Sequence, residues 1–126
     1  MVKKRGCRIL VGDDDVTVLR FLAKALAYYG FESLACKNGA QVLRRAEPGG
    51  FGLILLDYRI GKPDGVEIVK TLRERGLSTP VVLMSSHFPD DVARQCSRMA
   101  GVLLLEKPFS LKELQKVIRR ALALKV

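Results

Sequence analysis

Five side chains spread along the sequence are of the right kinds for phosphoryl chemistry. Asp13 and Asp14 follow the apolar run Ile9–Val11, Asp57 closes the run Leu53–Leu56, Ser85 follows Val81–Met84, and Lys107 follows Val102–Leu105 and Glu106. Each stands where an apolar segment gives way to polar residues. Three carboxylates brought to one place repel one another at neutral pH, and a divalent cation resolves the repulsion. An all-oxygen set of carboxylates and water suits Mg²⁺ best, with Mn²⁺ as the alternative. A lysine adds a point positive charge and a serine a hydroxyl. An aspartate in such a setting can act as a nucleophile and form an acyl phosphate, with the cation and lysine neutralising the oxygens of the transferring group.

The elements that must position these groups can be read from periodicity. The four apolar runs are solid, without alternation, as strands covered on both faces of a parallel sheet are. Phe31–Cys36 is a weaker fifth strand, placed at an edge. Helical spacing fills the intervals: Val16–Tyr29 ended by Gly30, Ala40–Ala46 capped by Asn38, Val66–Arg75 followed by Gly76, Asp90–Ala100 ended by Gly101, and Leu111–Leu124 opened by the capping box Ser110-Leu111-Lys112-Glu113. Strand and helix alternate five times, which predicts an α/β domain with a parallel sheet and helices on both faces. In such sheets ligands sit at the carboxyl ends of the strands, where all five reactive residues fall.

Composition narrows the classes. The 126 residues amount to one domain, at 48% hydrophobic and 28% charged, a globular balance. No apolar run approaches the ~20 residues of a membrane span, and the stretch after the basic N-terminus is too short for a signal sequence, so a cytoplasmic protein without membrane contact is expected. Cys7, Cys36 and Cys96 are an odd count without metal-ligand spacing and are expected as buried free thiols. His87 is the one histidine, which excludes histidine metal clusters, and the phosphate loops and nucleophile elbows of common enzymes are absent. Asp15 is read as a helix N-cap.

At this level the sequence resembles the receiver domain of two-component response regulators, and the chemotaxis regulators in particular. The resemblance rests on Ile9–Asp15, Leu53–Asp57, Pro63-Asp64-Gly65, Val81–Ser86 and Lys107-Pro108-Phe109, in that order over essentially the whole chain. It implies a flavodoxin-like, doubly wound (βα)5 fold with a five-stranded parallel sheet in the order 2-1-3-4-5. One receiver domain over 1–126 is expected, ordered from about 7 to 124 and without an output domain. It implies that Asp57 accepts a phosphoryl group from a histidine kinase or phosphotransfer protein, the domain catalysing only its own phosphorylation and dephosphorylation. Asp14 would be a direct metal ligand, Asp13 a weaker or water-mediated one, and the Arg59 backbone carbonyl a further one. Ser85 and Lys107 would bond the phosphoryl oxygens, across an expected cis Lys107-Pro108 bond. Arg59, Ser86 and His87 occupy positions that tune loss of the phosphoryl group, and Gly65 is expected to close a turn at a φ other residues resist.

Three departures from the family pattern stand out. Gly12 replaces a branched residue and is expected to loosen the first strand. Gly61 stands where proline is usual. Leu104 stands where the family carries the aromatic residue of its switch, so the usual coupling to the output face has no ring to rotate. That face is expected to be formed by the fourth helix, fifth strand and fifth helix, to meet a downstream protein with an acidic face, and to offer a route to a homodimer.

A second reading is a constitutive protein- or nucleic-acid-binding module of the same fold, using the net charge of +9 and the basic residues Arg94, Arg98, Lys112, Lys116, Arg119, Arg120 and Lys125. No aromatic residues interleave them, so nucleic acid is disfavoured as a partner of this domain alone. A phosphatase-like hydrolase is set aside because Arg59 stands where such enzymes place a second acid.

Overall fold

A computed structural model describes residues 7–124. Five strands and five helices alternate: β1 (Arg8–Gly12), α1 (Val16–Tyr28), β2 (Glu32–Cys36), α2 (Gly39–Arg45), β3 (Leu53–Asp57), α3 (Gly65–Glu74), β4 (Val81–Ser85), α4 (Asp90–Ser97), β5 (Val102–Glu106) and α5 (Leu111–Ala123). The strands are all parallel in the order β2-β1-β3-β4-β5. Among the described residues, no helix is long and apolar enough to cross a membrane.

The solid apolar runs arise because successive residues feed opposite cores. Ile9, Val11, Leu53, Leu55, Val82 and Met84 pack with Leu22, Leu26, Leu114 and Ile118 of α1 and α5. Leu10, Ile54, Leu56, Val81 and Leu83 pack with Val42, Ile68, Leu72 and Cys96 of α2, α3 and α4. The central strands β3 and β4 are buried at every position, whereas β2, at one edge, exposes Glu32 and Ser33.

Helix ends follow local chemistry. Asp15 caps α1 by accepting from the Thr17 amide, Asn38 caps α2 through the Gln41 amide, and the Ser110–Glu113 capping box opens α5. Asp64 and Glu67 form a second capping box at α3, which the turn-like Pro63-Asp64-Gly65 obscures in the sequence. Helix α4 stops at Ser97 and not at Ala100. The Arg98 and Met99 amides bond the carbonyls three residues back, and Gly101 adopts φ +74°.

Three expectations are corrected. Gly65 is not at positive φ. Its role is close approach, because a Cβ there would stand 2.8 Å from the Tyr58 Cα and 2.9 Å from a Leu83 methyl. Gly61 is the glycine of this loop in the left-handed region, at φ +125°. The end of β1 is not loosened by Gly12: methyls of Val42, Leu56 and Ile60 fill the space a side chain would take, at 2.7, 2.9 and 3.3 Å from an ideal Cβ. Cys36 and Cys96 are buried free thiols, but Cys7 is only partly covered.

Candidate functional site

The reactive groups converge at the carboxyl ends of β1, β3, β4 and β5. Asp13 follows β1 and is fully buried. Its amide donates to the Cys36 carbonyl, and its Oδ1 accepts from the Asp15 amide at 2.9 Å. Asp14 is exposed. Asp57 ends β3 and is 7% exposed. The neighbouring Tyr58 amide donates to the Met84 carbonyl at 2.8 Å, which ties the end of β3 to β4. The Lys107 amide donates to the Ser85 carbonyl at 2.8 Å, and the Lys107-Pro108 bond is cis, as expected.

These backbone ties bring the lysine over the carboxylates. Lys107 Nζ lies 2.9 Å from Asp13 Oδ2 and 3.4 Å from Asp57 Oδ1. Oxygens of Asp13, Asp14 and Asp57 lie within 4.8 Å of one another. Burial pushes the Asp57 carboxyl above its usual range, and the Asp13 charge pushes it further, against the pull of Lys107. Burial pulls the Lys107 ammonium down, but the hydrogen bond and charge of Asp13, together with Asp57, outweigh this and hold it above its ordinary value. Three carboxylates facing one ammonium leave an uncompensated negative charge. The donor set is hard oxygen, so the residues fit a small divalent cation, with Asp14 the most open ligand.

The other expected site residues are placed as follows. Ser85, at the end of β4, is buried, and its hydroxyl is engaged by its own loop. It donates to the His87 carbonyl at 2.7 Å and accepts from the His87 amide at 3.2 Å. Ser86, His87 and Arg59 are exposed, and the Arg59 guanidinium lies over the Tyr58 ring, 5.7 Å from its centroid. Leu104 is half-buried against the α2–α3–α4 core. Sequence reasoning missed the contact between Tyr58 and Phe88, whose rings stand 6.0 Å apart at 40°. The available signal was an aromatic immediately after Asp57 and another three residues after Ser85.

Comparison with known proteins identifies the family and the fold. Residues 9–119 match the response regulator receiver domain. The regulatory protein AtoC of Escherichia coli is 34% identical over 117 residues, and the transcriptional regulatory protein ZraR of Klebsiella oxytoca 31% over 115. These matches cover 93% and 91% of this chain but only 25% and 26% of the relatives, so the chain spans about a quarter of their length. The solved receiver domain of NtrX from Brucella abortus is 28% identical, with a TM-score of 0.80, covering 90% of this chain and 97% of that one. The chemotaxis protein CheY4 of Vibrio cholerae, at 22% identity, shares the fold with a TM-score of 0.83 over 91% of this chain and 98% of its own. With the match running through every element from β1 into α5, the chain belongs to the response regulator receiver domain family.

Proposed function

We propose that this domain is a phosphorylation-operated switch in which Asp57 takes a phosphoryl group from the phosphohistidine of a kinase or phosphotransfer protein in the cytoplasm. The observation that supports this most strongly is Lys107 Nζ bridging Asp13 and Asp57 within a cluster of three carboxylates. An Asp57 oxygen forms a new P–O bond as the P–N bond of the donor breaks. The electron pair stays on the imidazole nitrogen, which takes a proton from solvent. Lys107 releases part of its hold on Asp57 and pairs with a phosphoryl oxygen, while Asp13 keeps it in place. Ser85 donates to another phosphoryl oxygen. Asp14, Asp13, Asp57 and the Arg59 carbonyl would hold a Mg²⁺ or Mn²⁺, which would supply positive charge against the oxygens of the transferring group. Arg59, Ser86 and His87, exposed around the site, set how readily water reaches the acyl phosphate.

The added charge of about −2 shifts an existing equilibrium between two conformations. Its readout is the α4–β5–α5 face. There Arg94, Lys112, Lys116, Arg119 and Arg120 are exposed and suit an acidic protein partner or a second copy paired through matching acidic groups. Arg98 follows α4 and is exposed too, whereas Lys125 lies outside the described residues.

Acetyl phosphate with Mg²⁺, followed by intact-mass measurement, tests the reading. Wild type gains the mass of one phosphoryl group and Asp57→Asn gains none. Asp14→Asn abolishes the rise in Tm that Mg²⁺ gives the wild type. Equal uptake by wild type and Asp57→Asn would overturn the proposal.

A further inference from the structure

We infer that Phe88, and not the residue at position 104, is the aromatic group that moves when the switch is thrown, and that Ser85 moves it through the backbone of His87. The inference rests on the switch reading above and specifies its output.

Leu104 is a branched aliphatic side chain, half-buried in the layer that also holds Phe88, Val92 and Ala93. It has no ring to carry between two positions. A ring stands in the same layer at Phe88, which is 8% exposed and packs at 6.0 Å against Tyr58, the residue after Asp57. Phe109, near Lys107 in sequence, faces the other way and packs against Phe21 in the opposite layer. Phe88 is therefore the aromatic positioned between the reacting aspartate and α4.

The drive comes from the hydrogen bonds of one hydroxyl. Ser85 Oγ has a single proton, and it is given to the His87 carbonyl at 2.7 Å, while the same oxygen accepts from the His87 amide. A phosphoryl oxygen on Asp57 can receive that proton only if the bond to His87 breaks. The His87 carbonyl then loses its donor, and the change of rotamer that carries Ser85 Oγ toward Asp57 takes the acceptor from the His87 amide as well. His87 is exposed, so water can satisfy them and the loop is free to rearrange. Phe88 is the next residue and must follow. Beyond it, α4 begins at Pro89 with no side-chain cap bond, unlike α1, α2, α3 and α5, each held by a capping side chain. The first turn of α4 is thus the helix start least fixed against a displacement of Phe88. The surface that changes is the N-terminal half of α4, with the edge of β5 following it.

The sequence contains no tryptophan, so Phe88→Trp supplies a single reporter. It is titrated with beryllofluoride and Mg²⁺, a stable stand-in for the phosphoryl group. In parallel, exchange of the His87 amide is followed by NMR in the wild-type protein, which needs no substitution at 88. Phosphoryl uptake by both proteins is confirmed separately by mass with acetyl phosphate. The expected result is a red shift of the tryptophan emission in Phe88→Trp as the ring leaves the Tyr58 contact, with exchange at His87 about five- to tenfold faster, as loss of one hydrogen bond of ordinary strength gives. Unchanged His87 exchange in a protein that does take up phosphoryl mass overturns the inference and leaves the switch reading standing. So does an emission change at 88 without a change at His87. Absence of phosphoryl uptake removes the switch reading itself, and the inference with it.

Discussion

At the scale of single residues, the site sets a buried carboxylate against its neighbours. Burial and the Asp13 charge raise the Asp57 pKa in the folded state, despite Lys107. A carboxyl whose folded pKa lies above its unfolded value is destabilised in its ionised form, so at neutral pH Asp57 costs the fold stability. That cost is lifted as pH falls through the raised pKa and the fold takes up the proton. In the absence of divalent ions, Asp57→Asn is therefore expected to raise Tm at pH 7 by roughly 3 °C or more, the effect of about 1 kcal/mol in a domain of this size. The gain should shrink as the pH is lowered into the acid range. Calorimetry of the two proteins over a pH series in EDTA checks this, and a gain that grows on acidification contradicts the argument. The groups responsible, Asp13, Asp57 and Lys107, were legible because each sits where a solid apolar run turns polar. The partner of the Ser85 hydroxyl was not, since it is a backbone carbonyl two residues away, and carbonyls leave no mark in a sequence. Gly65 was legible as a glycine but not for its reason, a backbone crossing at Tyr58 that only the fold reveals.

At the scale of elements, the strands and nearly all helix ends were readable to within a residue, and the exception, the end of α4, arises because backbone turns and not side-chain patterns decide where a helix stops. Helix α4 shows this: Met99 continues the apolar spacing, yet the chain has already turned. Connections between elements are also carried by groups whose destination no pattern records. Arg73, near the end of α3, donates to the carbonyls of Leu77 and Thr79 at 3.0 and 2.9 Å, and to that of Ala100 at 2.9 Å. One guanidinium thereby holds α3 to the segment entering β4 and to the turn entering β5. Partial burial lowers its pKa without removing its charge. Lysine cannot span three acceptors from one planar fork. Arg73→Lys is expected to cost about 2 kcal/mol and Arg73→Ala about 3 kcal/mol in urea unfolding, charge-assisted hydrogen bonds being worth roughly that much. Full stability in the lysine variant would show that a positive charge alone suffices there.

At the scale of the whole molecule, two apolar layers enclose one sheet, while the surface carries the excess of positive charge. The net charge is +9 with the acidic cluster included, so the surface outside the cluster is more positive still. Self-repulsion on that scale is screened by salt, and the partly buried Lys107–Asp13 pair is screened less. Raising NaCl from about 0.05 to 0.5 M, which shortens the screening length to a few ångströms, is expected to raise Tm. A fall would mean that surface attractions outweigh repulsions. The order of the strands became legible from motifs matched in sequence, because periodicity alone leaves several right-handed arrangements open.

The filled space above Gly12 has a consequence for anyone exchanging segments between domains of this kind. A first strand transplanted from a relative with a branched residue at this position would place its methyls where those of Val42, Leu56 and Ile60 already stand. Strands β1 and β3, helix α2 and the loop after Asp57 are therefore one interchangeable part, and a working chimera has to carry them across together.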